Sequence, residues 1–365
     1  MTGEKAKHVD HARIVAARQT RRMTRAELSQ ELGISSSFLS NIELGYRSGE
    51  PYVEAIADVT RFPIGYFWRR SLTIPKSDSF AYRRRARMKS LDKLAIEGLC
   101  AINACDPADT IKNYVRVPDV RVPNLSDLAE VGTPLEVGES VSSLMRAKFG
   151  MGNSPLGHAI DLVESMGIIV LWIDGPLDFD GVSFWVNESP FILLNRNQLD
   201  GYRMRLTVLH ELLHLLCHRS VPKIEKEHDQ QANAFASAML MPAATFGRVA
   251  SKRFDAHLML DERPTWGASV AAMVRRCHDL RIYSDWVYRD ANIRLTNLKW
   301  RFGEPRAMAV ENSTVHQFFF EEAGDQGKYA FDLAQEADQP YDLFLASFPI
   351  AVKYEKSANA MPAFG

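Results

Sequence analysis

The sequence lacks any run of eighteen apolar residues, so no segment is long enough to span a membrane. Its opening stretch, MTGEKAKHVDHAR, has no apolar core and predicts no secretory signal. Only 4 cysteines occur, without zinc-ribbon spacing or a dense disulfide pattern. Hydrophobic residues make up 46% and charged residues 24%, as in ordinary globular proteins. We therefore expect a cytoplasmic chain of two or three domains with reduced thiols and no membrane contact.

Neither sign of charge dominates the whole chain, but the two ends differ. The formal net charge is −1 over 365 residues. The first 90 residues contain 17 Lys+Arg against 9 Asp+Glu, whereas the remainder contains 27 against 36. A basic segment joined to an acidic body indicates either a polyanionic partner for the first part or a solvated charged surface.

The basic end contains the run TRAELSQELGISSSFLSNIELG, which predicts two short helices joined by a tight turn. Thr24 is a good N-cap for a helix over about 25–32, and Glu27 completes a capping box. Gly33 ends that helix, and Ser35 caps the next one. The apolar residues that would pack the two helices in a helix-turn-helix are Leu28, Leu32, Ile34, Leu39 and Ile42.

The second helix of this pair would read DNA, because short polar side chains occupy its early positions. This stretch resembles the XRE-type, lambda-repressor-like helix-turn-helix family over some sixty residues, including IELGYR. The resemblance implies double-stranded operator DNA as a partner, with pairing of two chains on two half-sites. The alternative is a helical bundle used for protein contacts. The expected DNA contacts are Ser36, Ser37, Ser40, Asn41, Arg18, Arg22 and Arg47, with Arg21 also flanking the reading helix.

A connector follows, in which a basic cluster precedes a helical pattern and two prolines then favour extended chain. The basic cluster either extends the DNA footprint or forms the solvated start of a helix. Beyond it, VSSLMRAKFG and GHAIDLVESMG predict helices, and GIIVLWID, GVSFWVN and PFILLN predict a small, mainly antiparallel sheet. The cluster consists of Arg83, Arg84, Arg85, Arg87 and Lys89.

Residues 207–218 read TVLHELLHLLCH and carry the chemistry. Residues four apart lie on one face of a helix, so the imidazoles of His210 and His214 can share one Zn²⁺ ion. Glu211 is offset from them and would act as general base on a water molecule beside the metal. Because the rest of this helix is almost wholly apolar, its buried polar groups need partners, and a metal ion supplies them.

A third protein ligand is expected downstream, where KEHDQQANAFASAMLMP predicts a helix that begins near Asp229 and ends before Pro242. Asp229 comes fifteen residues after His214, which leaves room for a loop that returns to the metal. His218 lies one turn further along the first helix and more simply caps its end or faces solvent. The other rival ligands are Glu225, Glu227 and His228.

HELLHLLCH followed by DQQANAFASAMLMP resembles the ImmA/IrrE family of metallopeptidases. That family pairs an HExxH helix with an acidic residue three positions before an Ala-Asn and then a Leu-Met-Pro. The resemblance implies Asp229 as the third ligand, one Zn²⁺ per chain, and cleavage of a repressor or partner protein. The family usually has Glu where this chain has Asp229, which is one methylene shorter and puts metal affinity and activity in question.

The expected architecture is a multidomain α+β chain, mainly helical with a small sheet. It comprises a helix-turn-helix domain at 1–72, a helical and extended connector at 73–137, a zincin-like peptidase domain at 138–250, and a helical and mixed C-terminal region at 251–365. Three functions compete: a DNA-binding regulator whose zinc endopeptidase cuts a regulatory protein or itself, a regulator with a structural or sensing metal site, and a toxin held down by a partner.

Overall fold

The structure, a computed structural model, describes residues 8–73, 83–84, 89–176, 179–198, 200–300 and 303–355. Its basic end is a bundle of four helices with two short 3-10 turns. As predicted, Thr24 and Glu27 form a capping box and Ser35 accepts from the backbone N–H of Phe38. The turn between the two helices needs a left-handed residue, which Gly33 supplies at φ +64°. The helices are α1 (His11–Thr20), α2 (Arg25–Glu31), α3 (Ser36–Glu43) and α4 (Val53–Thr60).

This bundle is held against two further helices, α5 (Ser90–Asn103) and α6 (Asp106–Tyr114). The guanidinium of Arg13 in α1 donates to both carboxylate oxygens of Asp106, at 2.9 and 3.0 Å, and both side chains are fully buried. Arg69 Nε lies 3.2 Å from the same carboxylate. Because a buried charge is costly without its partner, this network fixes the bundle on α6.

The described residues of the connector's basic cluster belong to two different elements. Arg83 and Arg84 form the short strand β1 (Arg83–Arg84), and α5 starts only at Ser90, with Lys89 as its N-cap. Arg85 and Arg87 lie outside the described residues. The prediction of a solvated helix start is therefore wrong for Arg83 and Arg84, because their backbone pairs with a sheet.

The sheet contains β1, β2 (Ile169–Ile173), β3 (Phe179–Val186) and β4 (Ser189–Asn195), in the order β1-β3-β4-β2. β3 and β4 form an antiparallel hairpin, and β1 pairs antiparallel with the other edge of β3. β2 instead pairs parallel with β4. The sheet is therefore mixed. β4 lies between β3 and β2, runs antiparallel to β3, and runs in the same direction as β2. The sequence did not predict this parallel pair.

Seven helices surround one face of the sheet or extend from it. Val170, Trp172, Ile192 and Leu194 belong to the core that they share with this face. These helices are α8 (Pro134–Lys148), α9 (Ala159–Ser165), α10 (Gly201–Cys217), α11 (Lys226–Leu240), α13 (Ala256–Trp266), α14 (Val270–Asp279) and α15 (Asp285–Asn297), with the short α7 (Ser126–Ala129) and α12 (Ala243–Val249) at the margins.

α8 and α11 approach closely because α8 has a glycine at the crossing. A Cβ on Gly138 would lie 2.5 Å from the backbone nitrogen of Phe235 in α11, closer than real atoms pack. α11 also packs along α10. It begins at Lys226, three residues earlier than the sequence predicted, so Asp229 falls in its first turn rather than at its start. α11 is therefore held from two sides with Asp229 near its N-terminus.

The opposite face of the sheet is covered by α6 and the C-terminal helices α16 (Thr314–Asp325), α17 (Ala330–Glu336) and α18 (Tyr341–Ser347). Four aromatic residues of the C-terminal region, Phe319, Phe320, Phe344 and Phe348, are buried together on this face. Ile169, Leu171 and Ile173 alternate with the residues of the first face, as expected for a strand covered on both sides.

The two cores of the sheet draw on several of the predicted segments. The second core combines residues 96–111, 169–193 and 319–351, so it joins connector, central domain and C-terminal region. The three boundaries between the four predicted domains stay a prediction. Among the helices that the structure describes, none is long and apolar enough to cross a membrane.

Candidate metal centre and nucleic-acid interface

The centre is built on α10, which is buried along almost its whole length. Asp200 caps its N-terminus by accepting from the backbone N–H of Tyr202. His210 and His214 are only 1% and 4% exposed, and Glu211 is fully buried. Three polar side chains buried in one helix each require a specific partner.

The structure brings His210, His214 and Asp229 together in one triangle of ligand atoms. The two Nε2 atoms lie 3.1 Å apart. Asp229 Oδ1 lies 3.8 Å from His210 Nε2 and 3.7 Å from His214 Nε2. A tetrahedral zinc ion with bonds of about 2.0–2.1 Å separates its ligands by about 3.3 Å. The triangle therefore has the dimensions of such a site, with Asp229, 40% exposed, forming its open side.

The hydrogen bonds of the imidazoles support this fit. His210 Nδ1 lies 3.2 Å from the Oδ1 atom of Asn233, an acceptor, so Nδ1 carries the proton and Nε2 a lone pair. Asn233 stands one turn after Asp229 on α11, so one helix supplies both the carboxylate and the partner that orients the first histidine.

His214 is oriented by a longer chain of hydrogen bonds. The Gln231 amide donates to the carbonyl oxygen of Ala129 at 2.9 Å, and its oxygen accepts from His218 Nε2 at 2.8 Å. His218 Nδ1 is then an acceptor, and it lies 2.8 Å from His214 Nδ1. His214 therefore carries its proton on Nδ1. The lone pair of its Nε2 atom points toward the same position as the Nε2 lone pair of His210. Two converging lone pairs beside a carboxylate are the donor set of a cation.

Burial keeps these imidazoles neutral. Burial first, and then the neighbouring histidines, hold the pKa of His214 well below its usual value. Burial likewise lowers the pKa of His218 to about 4. A neutral imidazole is the form that binds a metal, so His214 is in the required state near pH 7, and neutral His218 can accept at Nδ1. Burial also raises the pKa of Cys217, on the same helix, to about 12, and Cys217 is not part of the ligand triangle.

Glu211 is not part of the ligand triangle, and its carboxylate contacts the sheet. Its Oε2 atom accepts from the hydroxyl of Ser183 in β3 at 2.7 Å. This bond fixes the carboxylate rotamer and ties α10 to β3. Glu211 is thus positioned beside the triangle rather than as one of its members, as the HELLH spacing predicted.

The rival ligands occupy other positions. Glu225 and Glu227 are exposed at the start of α11. His228 Nδ1 accepts from the backbone N–H of Glu225, so that ring caps α11. His218 is the C-cap residue of α10, which agrees with the first of its two expected roles. The alternative, in which it faces solvent, is wrong because its ring is buried between Gln231 and His214.

At the basic end, the outer face of α3 is accessible. Ser36 and Ser37 are exposed, whereas Ser40 and Asn41 are half-buried. Arg47 is exposed, and its guanidinium carbon lies 4.7 Å from the centre of the Phe38 ring. These five positions lie on α3 and in the turn after it, where the surface is accessible. Their role as DNA contacts stays a prediction, which this accessibility supports.

Two of the predicted arginines are placed differently. Arg18 is 5% exposed, and its guanidinium donates to both carboxylate oxygens of Glu43 and to the carbonyl oxygen of Met23. Its assignment as a phosphate contact is wrong, because its guanidinium is buried in an ion pair with Glu43 that joins α1 to α3. Arg22 is about half exposed, and its Nε lies 3.5 Å from Asp92 Oδ1 on α5, so part of its charge is already neutralised.

The sequence did not reveal four residues of the centre. Ser183 lies in a strand and has no distinguishing motif, and the carbonyl of Ala129 belongs to the connector. Asn233 and Gln231 stand four and two residues after Asp229, and the helical period alone places Asn233 on the side of Asp229. Gln231 can be assigned only once its partners are known.

Fold and site together define a protein with a helix-turn-helix bundle and, beyond it, a His/His/Asp cluster that could hold a metal ion. Comparison with protein-family models agrees: residues 14–67 match the helix-turn-helix family, and residues 165–278 match the IrrE N-terminal-like domain family. The second match runs from the end of α9 to α14 and includes the whole ligand triangle. The chain therefore joins a helix-turn-helix domain to an IrrE-like domain. A search of curated proteins found no match.

Removal of the Asp229 carboxylate should abolish metal retention. We expect about one zinc per purified wild-type chain and none in Asp229→Ala, because two imidazoles alone leave the site incomplete. Elemental analysis of the folded proteins measures this. Glu227→Ala, an exposed carboxylate two residues away, should keep its zinc. If Asp229→Ala kept its full zinc content while Glu227→Ala or His228→Ala lost its zinc, the third ligand would be Glu227 or His228 and not Asp229.

Gln231→Leu should weaken metal binding although Gln231 does not reach the ligand triangle. Without its amide oxygen, His218 is free to take the other tautomer and His214 loses its fixed orientation. Loss of such a supporting bond costs about 10–100-fold in metal affinity.

Competition with a chelator measures this affinity. Gln230→Leu makes the same change at the exposed neighbouring position and should leave the affinity at the wild-type value. Equal affinities in the two variants would show that the chain of hydrogen bonds does not orient His214.

Arg47→Ala should weaken binding of the full chain to a mixed-sequence DNA duplex and make that binding less sensitive to salt. The loss of one phosphate contact lowers the slope of log affinity against log salt concentration by about 1. Arg61→Ala is a matched control, because Arg61 is also exposed. The carbonyl of Arg61 accepts from Arg21, which pairs with Asp342 of α18, so Arg61 lies on the side of the bundle that faces α18. Equal slopes for both variants would remove Arg47 from the interface.

Proposed function

We propose that this chain is a DNA-binding transcriptional regulator with a zinc-dependent endopeptidase that cleaves a regulatory protein, either a repressor, a partner, or the chain itself. The observation that carries the proposal is the convergence of two oriented imidazoles and a carboxylate beside the buried, hydrogen-bonded Glu211. Binding to DNA and cleavage of a regulator would both take place in the cytoplasm. A zinc ion bound by His210, His214 and Asp229 would polarise the scissile carbonyl and lower the pKa of an attacking water.

The chain's own residues supply the proton transfers. Glu211 accepts a proton from the attacking water and returns it to the nitrogen of the leaving amine. Ser183 holds Oε2 of that carboxylate, so the base keeps one rotamer through both transfers. The complete burial of Glu211 excludes bulk water, which strengthens the charge interactions that accompany them.

A structural or sensing role for the centre is the competing function. A purely structural zinc site is closed by four protein ligands, whereas this triangle offers three and keeps an open side. A structural site also has no use for a buried carboxylate that is adjacent to the ligands but absent from the triangle. These two features favour a peptidase.

Glu211→Gln separates the two roles. We expect it to retain zinc, because Glu211 is not in the ligand triangle, and to lose at least about 100-fold in peptidase rate, because an amide accepts no proton. The measurement is cleavage of casein, an unfolded protein that tests for peptidase activity of any specificity, alongside elemental analysis.

Glu227→Gln makes the same change at an exposed position of α11 and should cleave casein at the wild-type rate. Casein cleavage by Glu211→Gln at the wild-type rate would assign the centre a structural or sensing role.

A further inference from the structure

The helix α15 is fixed to the rest of the molecule through one side. Ala291 and Leu295 are buried in the core of the first sheet face, and Val287 packs against the same core. Beside them, the Tyr288 ring stacks on His278 of α14, with the ring centres 4.3 Å apart. Because these residues share one side of the helix, the side chains on the opposite side point away from the core.

The outward side of α15 carries two large apolar side chains, Trp286 and Ile293. They are 73% and 60% exposed, and two helical turns separate them, so they lie in one line along the helix. All 6 tryptophans lie in the part of the chain that the structure describes, and the other five are buried or half-buried. An indole and a branched aliphatic side chain in one line form a surface that is stabilised when another apolar surface covers it.

Between the two apolar residues, the same side of α15 carries one charge of each sign. Arg289 is exposed, whereas Asp290 is half-buried and pairs along the helix with Arg294, 2.8 Å away. We call Trp286, Arg289, Asp290 and Ile293 the α15 stripe. The stripe has no net charge, so it does not match a uniformly charged partner such as DNA.

The order of the four residues is self-complementary under a two-fold axis. When two copies of α15 pack antiparallel about the midpoint of Arg289 and Asp290, Trp286 of each copy stands at the level of Ile293 of the other. The same axis brings Arg289 to the level of Asp290 of the other copy. A closed two-fold interface needs this property, because each residue has to find its complement within the same patch.

We propose that the α15 stripe is the interface between two copies of this chain, packed antiparallel as a two-fold dimer. The interface buries two indole rings and two isoleucines around a cluster of four charges that sums to zero. Tryptophan and arginine are among the residue types that contribute most to the affinity of protein interfaces. The dimer carries two helix-turn-helix bundles in one particle, and it depends neither on a metal ion nor on peptidase activity.

The mass of the full chain in solution tests the interface. We expect sedimentation equilibrium to show a dimer, and Trp286→Glu to raise its dissociation constant at least about 30-fold, because a charged group replaces the aromatic side chain. Val249→Glu changes an apolar residue of α12 that is also exposed, and it should dimerise like the wild type. A monomer at every concentration would overturn the inference and leave the stripe to a different protein. A dimer that Trp286→Glu does not weaken would also overturn it.

Cysteine variants test the antiparallel arrangement. Positions 286 and 293 lie about 10 Å apart along the helix axis, so in the proposed dimer position 286 is close to 293 of the second copy and far from 286. Oxidation of a mixture of Trp286→Cys and Ile293→Cys chains should give a cross-linked dimer, whereas each variant alone should not cross-link. The 4 native cysteines are buried and do not compete. Efficient cross-linking of Trp286→Cys with itself would overturn the antiparallel dimer.

Exchange of the two charges tests the centre of the interface. Arg289→Asp gathers four carboxylates at the two-fold axis and Asp290→Arg gathers four guanidinium groups, so each should weaken the dimer at least about 10-fold. The double variant again has one charge of each sign per chain and should recover the wild-type dissociation constant. Circular dichroism checks the fold, because Asp290→Arg also removes the pair with Arg294. Equal dissociation constants in all four proteins would overturn the proposed arrangement.

Discussion

The structure depends on how one buried helix satisfies its polar side chains. α10 lies in the core, yet it carries two imidazoles and a carboxylate, and its C-cap residue, His218, adds a third buried imidazole. Other elements supply partners for three of these groups: Asn233 of α11 for His210, Gln231 of α11 for His218, and Ser183 of β3 for Glu211. His214 pairs with His218 and is oriented through it. An unsatisfied polar group in such a position would cost about 1–3 kcal/mol, so the helix can be buried only where these elements meet. The contacts that set the geometry of the centre are consequently the same contacts that allow this helix to be buried in the core.

The sequence predicted the parts of this arrangement that follow from local pattern. The helical period places His210 and His214 on one face, and turn chemistry at Thr24, Gly33 and Ser35 defines the helix-turn-helix. Strand pairing and side-chain partners across elements have no such local signal. The parallel pairing of β2 with β4 arises from the order of strands in space, and the partners of His214 come from a helix and a connector far along the chain.

Asp229 shows how tertiary packing can compensate for a shorter side chain. The close crossing at Gly138 and the contact of α11 with α10 fix where the first turn of α11 lies. That turn includes Asp229, because the helix begins three residues before it. Its Oδ1 atom consequently reaches 3.7 and 3.8 Å from the two imidazoles, although aspartate lacks one methylene of the glutamate that the family usually has.

Part of the positive charge of the basic end serves to hold that end against the rest of the chain. Composition alone cannot distinguish this role from DNA binding. Several arginines of the basic end pair with carboxylates of the body, so part of the positive charge docks the domain instead of meeting a polyanion. These pairs are Arg13 with Asp106, Arg21 with Asp342, Arg22 with Asp92, Arg69 with Asp338, and Arg70 with Asp109. The Arg13 pair is fully buried, whereas the others are exposed to varying degrees and individually contribute little. Asp92, Asp106 and Asp109 belong to the connector, and Asp338 and Asp342 belong to the C-terminal region, so the domain is held against both parts of the chain. Because salt screens exposed pairs much more than buried ones, the Arg13 pair should persist at salt concentrations that weaken the others.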